Sequence, residues 1–439
     1  MDSKKSNFQT ILFAVLGVGL AVALMIFGGL IKTPQKGSAN QIQASGSVTM
    51  WGPFLSNSVS ELVNTFNGDN ENITLSYVGK NSQNYDVELL EAFASGQAPD
   101  IIILPHNLIS RYSDKVVILN EVAFPERSFK DLYSQGSEIF RIPGGTVGLP
   151  LGVDPLVMYY NRDLLDSGGI VKPPQFWNDD FLTFVQAVTQ ANPDDLDIDV
   201  AATALGETSN IKHSTEILST LWMQLGNSIT TFNQSSLPES LIKEPSTVSN
   251  SPGATGLEYF TQFVDASNDL YTWNKAMPEA RDAFAAEKLA VYFGFASELL
   301  EIQRKNPNLN FDVAPLPQIK ELNKKITYGN FYALAIPKTS ANASGALGVA
   351  GALTTGAYNV NLLGSFSLQP VRRDLLAVNP PNPYQKIFYN SALIARGWYN
   401  PNPVTLDSIL KNMVDGVNSG RLTPDRAIVE VNQKINEAF

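Results

Sequence analysis

Four consecutive apolar residues, Ile101-Ile102-Ile103-Leu104, show none of the polar alternation that a strand carries when one face meets water. Such a run suits a parallel strand buried on both faces, and the residues before it supply its partners. A strand is expected at Val48–Trp51, a helix near Val59–Phe66, a strand at Ile73–Val78 and a helix near Val87–Ala94. Val59, Leu62, Val63 and Phe66 stand at i, i+3, i+4 and i+7, one helical face, and Ser58 with Glu61 has capping-box spacing. The order β-α-β-α-β predicts a doubly wound α/β lobe with its ligands beyond the carboxyl ends of the strands.

A second unit is expected after Pro150. Helical periodicity recurs at Phe181, Phe184, Val185 and Val188, at Leu257, Phe260, Phe263 and Val264, and over 281–290. Residues 233–256, rich in Ser and Pro, read as a surface excursion. Both lobes lie downstream of Ile11–Ile31, 21 residues without a charge, which as a helix is about 31 Å long and crosses a bilayer. The run exceeds the apolar core of a cleaved signal, so residues 1–31 are expected to be a short cytoplasmic tail and a retained anchor. Residues 32–46 are the polar linker to an exported body, extracellular or periplasmic, of a size that calls for two lobes.

Composition excludes several chemistries. The chain has no cysteine, so thiolate metal sites, disulfides and a lipidated Cys are impossible, and its two histidines, His106 and His213, rule out a multi-His centre. A net charge of −11 without a basic block argues against a nucleic-acid groove. No catalytic residue, metal site or cofactor is read from the sequence.

Six blocks then follow one another in a familiar order. They are Ala94-Ser95-Gly96-Gln97-Ala98-Pro99-Asp100; Gly148-Leu149-Pro150 with Tyr159-Tyr160-Asn161-Arg162-Asp163 and Pro173-Pro174-Gln175-Phe176-Trp177; and Phe284-Ala285-Ala286-Glu287-Lys288. After these come Ala314-Pro315-Leu316-Pro317, Tyr328-Gly329-Asn330 with Ala335-Ile336-Pro337-Lys338, and Gly420-Arg421-Leu422-Thr423-Pro424. Spread over about 330 residues, the set resembles family 1 of the extracellular solute-binding proteins of ABC importers, the maltose/sugar-binding branch. The resemblance implies a two-lobed periplasmic-binding-protein-like fold of type II. It places lobe one at 47–152 and 312–337 and lobe two at 155–311 and 339–439, with crossovers near 153, 311 and 338. It also implies a receptor that captures a small solute, a sugar or oligosaccharide foremost, by hinge closure and delivers it to ABC permease subunits. Two other readings stay open: a lobe pair coupled to a signalling protein, and a secreted hydrolase using paired carboxylates.

A sugar pocket needs flat apolar faces for the C–H faces of pyranose rings and polar groups for the hydroxyls. Trp51 ends the first strand, and Asn81 and His106 follow the next two, all on the ligand side of a doubly wound lobe. Asp154 sits at the crossover before Pro155. Trp273, in a polar loop, and Trp398, between Gly397 and Tyr399, lie outside any apolar stripe and are expected to close the cleft from lobe two. Tyr328 and Asn330 belong to a Gly-containing loop and complete the candidate set, whereas Trp177 and Trp222 read as core.

Overall fold

The computed structural model describes residues 45–192, 197–242, 251–322 and 324–439. The expected anchor at 11–31 lies outside the described residues. No helix among the described residues is long and apolar enough to cross a membrane.

The principal strands are β1 (Gly46–Gly52), β2 (Ile73–Gly79), β3 (Ile101–Pro105), β4 (Leu149–Asn161), β5 (Ile198–Thr203), β6 (Leu289–Phe295), β7 (Phe311–Ala314) and β8 (Thr327–Ala335). The helices used below are α1 (Ser60–Asp69), α2 (Tyr85–Ala94), α3 (Ser214–Gln224), α4 (Pro403–Asn418) and α5 (Pro424–Glu437). The described residues divide into two compact units, those from 45 to 153 with 331–378 and those within 154–330 with 379–439.

In the first unit β1 pairs in parallel with both β2 and β3, and the end of β8 pairs antiparallel with β3, Tyr332 opposite Pro105. Ile101 to Leu104 are fully buried, as a strand flanked on both edges and covered on both faces must be. The expected capping box does not form. Helix α1 begins one residue later than its spacing requires, its N-cap Val59 makes no side-chain bond, and the Ser58 hydroxyl instead donates to Leu55 O.

In the second unit β4 pairs antiparallel with β6 and β7, and β6 pairs in parallel with β5. One aromatic-rich core fills it, with Phe181, Phe184, Phe260, Phe263, Trp222 and Trp273 each 1% exposed or less. The helix expected over 281–290 stops at Ala285, and Leu289 opens β6. Glu287 between them takes the left-handed conformation, φ 60°, that ends a helix. Of the excursion at 233–256, Pro252–Thr261 is a helix with Gly253, Ala254 and Gly256 buried.

Two crossovers differ from expectation. The second lies at Asn330/Phe331 and the third at Val378/Asn379. Residues 312–330 belong to the second unit because β7 completes the edge of β4. Residues 339–378 belong to the first, where helix Ala343–Leu353 turns Ala346, Val349, Ala350 and Leu353 inward, an i, i+3, i+4, i+7 face that packs on β1.

Candidate functional site

At the carboxyl edge of the first unit's sheet, aromatic side chains collect. Trp51, Phe54, Tyr77 and Tyr332 are all half-buried. Phe54 stacks on the buried Phe366 at 4.1 Å and lies 5.3 Å from Tyr332, and Tyr77 is 5.9 Å from Phe366. The loop carrying Phe54 is folded back over β2 by specific bonds. The Tyr77 hydroxyl donates to Phe54 O at 2.9 Å and accepts the Phe54 N–H at 3.3 Å, while Ser56 Oγ accepts the Gly79 N–H at 2.7 Å. Burial pushes the Tyr77 phenol well up, so it stays a neutral clasp. The approach is so close that a Cβ at Gly79 would meet Phe54 O at 2.2 Å, which is why the position is glycine.

Lys80 follows directly, its ammonium 3.8 Å from the centroid of the Trp51 ring and 2.8 Å from Glu88 Oε2 on α2. Asn81 is exposed, and its Oδ1 accepts the Gln83 N–H at 2.9 Å in a local turn. His106 is 1% exposed, and its Nδ1 accepts the Phe331 N–H at 3.2 Å. Burial lowers its pKa to about 4, and the unprotonated Nδ1 is the form that can accept that N–H, so it is a neutral imidazole fastening β8 to the end of β3.

In the second unit Asp154 lies inside β4 and not in a turn, because its strand continues unbroken through Pro155 to Asn161. Its Oδ1 accepts the Ser297 N–H at 3.1 Å, and burial pushes its carboxyl up to about 7. The neighbouring Glu298 is the hub of a buried network. Its Oε1 lies 2.5 Å from His213 Nε2 and accepts the Phe295 N–H, and its Oε2 accepts from the Tyr292 hydroxyl at 2.8 Å and Arg281 Nη1 at 3.2 Å. Burial opposes charge on both partners, but the pairing wins: Glu298 is held down to about 2 and His213 is raised. This network is saturated with donors and holds the turn that presents Ser297.

Three expected site aromatics are core. Trp273 is fully buried with its Nε1–H donated to Asn210 Oδ1 at 3.1 Å, and Trp398 is 5% exposed with its Nε1–H given to Ser219 Oγ at 3.2 Å. A buried polar partner for the indole N–H draws each ring out of its loop into the interior. Tyr328 is 6% exposed, lies within β8 and not in a loop, and packs against Phe295. Asn330, in the same strand, is partly exposed. Sequence reading passed over Phe54, Tyr77, Lys80 and Tyr332; the signal available for them was position, since each lies within a few residues of a strand's carboxyl end or opposite one.

These two α/β units have counterparts of known structure. A cyclic α-maltosyl-1,6-maltose binding protein from Arthrobacter globiformis superposes with a TM-score of 0.72 at 16% identity, covering 90% of this chain and 99% of that one. A cyclo/maltodextrin-binding protein in complex with maltotetraose gives 0.69 at 15% identity, covering 92% and 98%. An ABC transporter solute-binding protein from Thermotoga lettingae, bound with α-D-tagatose, gives 0.67 at 18% identity, covering 90% and 100%. The architecture is therefore that of the periplasmic-binding-protein-like α/β proteins. The profile of the bacterial extracellular solute-binding protein family matches residues 55–358, and the chain belongs to that family.

Proposed function

We propose that the protein captures a carbohydrate at the carboxyl edge of its first unit and presents it to an ABC permease, without making or breaking a bond. The observation that carries the reading is the set of half-buried rings at that edge: Phe54, Tyr77 and Tyr332 around Phe366, and, apart from them, Trp51 at the end of β1. Such faces match the C–H faces of pyranose rings, and stacking tolerates hydroxyl stereochemistry that hydrogen bonds then select. Asn81 is the polar group that the first unit offers to hydroxyls; Asp154 and Asn330 are candidate sugar-binding groups of the second unit by itself. The three neighbours are binding proteins for a cyclic maltosyl-maltose, for cyclo/maltodextrin and, in one complex, for α-D-tagatose, which supports a sugar over a peptide. Delivery requires that solute shift the population between two arrangements of the units, one of which the permease recognises. Residues 11–31 anchor the exported body to the membrane; a native protein whose N-terminus begins near residue 40 by mass analysis means the segment is cleaved instead.

The deciding experiment is thermal melting of the full chain against a panel of mono- and oligosaccharides with a peptide pool as control. Binding the folded state alone raises the melting temperature by mass action. A shift with peptides and none with any sugar overturns the reading.

A further inference from the structure

The second unit holds oxygen atoms for which solute capture has no use. Glu207 is 4% exposed and its Oε2 has no hydrogen-bond donor. The Lys275 ammonium is 4.0 Å from that oxygen, beyond hydrogen-bond reach, because it is drawn to Asp415 Oδ1 at 3.1 Å. Two more buried oxygens without donors belong to Thr208 and Asn418. Asn418 donates its Nδ2–H to Gly206 O at 2.7 Å, which fixes its amide beside Glu207. Asp415 and Asn418 are three apart on α4 and share one face in its last turn, where the aligned carbonyls favour a cation.

We propose that Glu207, Thr208, Asp415 and Asn418 form a Ca2+ site, with the Lys275 ammonium as its displaceable internal occupant. Two carboxylates, an amide carbonyl and a hydroxyl are a set of hard oxygen donors, which suits Ca2+ and disfavours softer metals. A buried carboxylate oxygen left without a donor is costly, and the ammonium at 4.0 Å does not relieve it, whereas a cation bound directly does. Among the described residues no cluster of three His, Cys, Asp or Glu occurs, so only two charges serve this ion. That count places the affinity with extracellular modules, at about 10⁻⁴–10⁻³ M.

The test is a calcium titration of the full chain in detergent, read by thermal melting and by Tb3+ luminescence, for which Trp273 stands two residues from Lys275 as sensitiser. Millimolar Ca2+ is expected to raise the melting temperature of the wild type, and Lys275→Met to bind Ca2+ several-fold more tightly because the competing ammonium is gone. Asp415→Asn, at a half-exposed position that folding tolerates, is expected to lose both the shift and the luminescence. If neither the wild type nor Lys275→Met responds to Ca2+ up to about 10 mM, the ordinary range of such sites, the orphan oxygens are served by water and the proposal fails. An unchanged response in Asp415→Asn overturns it as well.

Discussion

The Lys80 ammonium lies 3.8 Å from the centre of the Trp51 ring while bonded at 2.8 Å to Glu88. The indole face is thus held by a cation whose charge is already matched, which fixes the ring at the strand's end without leaving a net charge beside it. On the proposed function, the indole face away from Lys80 is the one left for a solute, beside charges that are already matched, as suits an uncharged sugar better than an anionic one.

Trp51→Ala should therefore weaken carbohydrate binding with little loss of stability. A stacked ring is worth about 1–2 kcal/mol, or roughly 5- to 30-fold in Kd. Trp51→Phe should keep most of the affinity. Calorimetric titration and melting of the three proteins decide the matter: a Trp51→Ala chain that melts far earlier yet binds as before places Trp51 in the core.

Gly79→Ala tests the clasp beneath Phe54. A Cβ there meets Phe54 O at 2.2 Å and Ser56 N at 2.6 Å, backbone atoms that only a shift of the 53–56 loop can relieve. Stability should fall by about 1–3 kcal/mol, the usual cost of overpacking. Binding should weaken too, because the displaced loop carries Phe54. A variant that melts and binds like wild type shows the loop to be free to move.

How much of this was legible in the sequence follows from where each pattern gets its meaning. The first sheet was, because Ile101–Leu104 and the 3.6-residue stripe of α1 are local signals that burial then uses. Trp273 and Trp398 were not, since a ring in a polar loop looks unanchored until its partners, Asn210 and Ser219, are brought from 63 and 179 positions away. The crossovers were misplaced for a similar reason. The stripe of Ala343–Leu353 shows that it packs, but not that it packs on β1, some 300 residues earlier.

Asp154→Asn should stabilise the protein at neutral pH. The folded-state pKa, about 7, lies above the ordinary 3.8, so the stability tied to the protonated acid is complete below pH 3.8 and lost as pH rises through 7. About 4 kcal/mol is at stake at most. Asparagine keeps the acceptor for the Ser297 N–H and never ionises. The variant's advantage should be absent near pH 4 and fully developed above pH 7 when melting temperatures are compared; an advantage of equal size at every pH excludes this origin.

His106 should make the first unit acid-labile. Its folded pKa, about 4, lies below the ordinary 6.5, so the unfolded chain takes up a proton first as pH falls between those values. Roughly 3 kcal/mol is lost across that window. His106→Gln should be less stable at pH 7, having lost the ring's packing against Phe331, but its stability should fall less steeply from pH 6.5 to 4. Parallel slopes for the two proteins in denaturant titrations would falsify the assignment.

Glu298→Gln should be the most damaging of these substitutions. It keeps the side chain's shape, yet its amide must turn a donor toward either the His213 edge and the Phe295 N–H or the Tyr292 hydroxyl and Arg281, all of which now find a carboxylate. Arg281 retains Glu301 at 2.5 Å, so the uncompensated loss falls mainly on His213. Breaking a buried pair from one side costs about 3–5 kcal/mol. Its pH dependence follows from the two shifts. The stability tied to Glu298 is present above its ordinary 4.5 and lost as pH falls through about 2, while that tied to His213 is present below 6.5 and lost as pH rises through its raised value. The gap between wild type and variant should be widest between pH 4.5 and 6.5 and narrow on both sides. A gap that keeps widening toward alkaline pH would mean that Glu298 is held by Arg281 alone and that His213 is a neutral bystander.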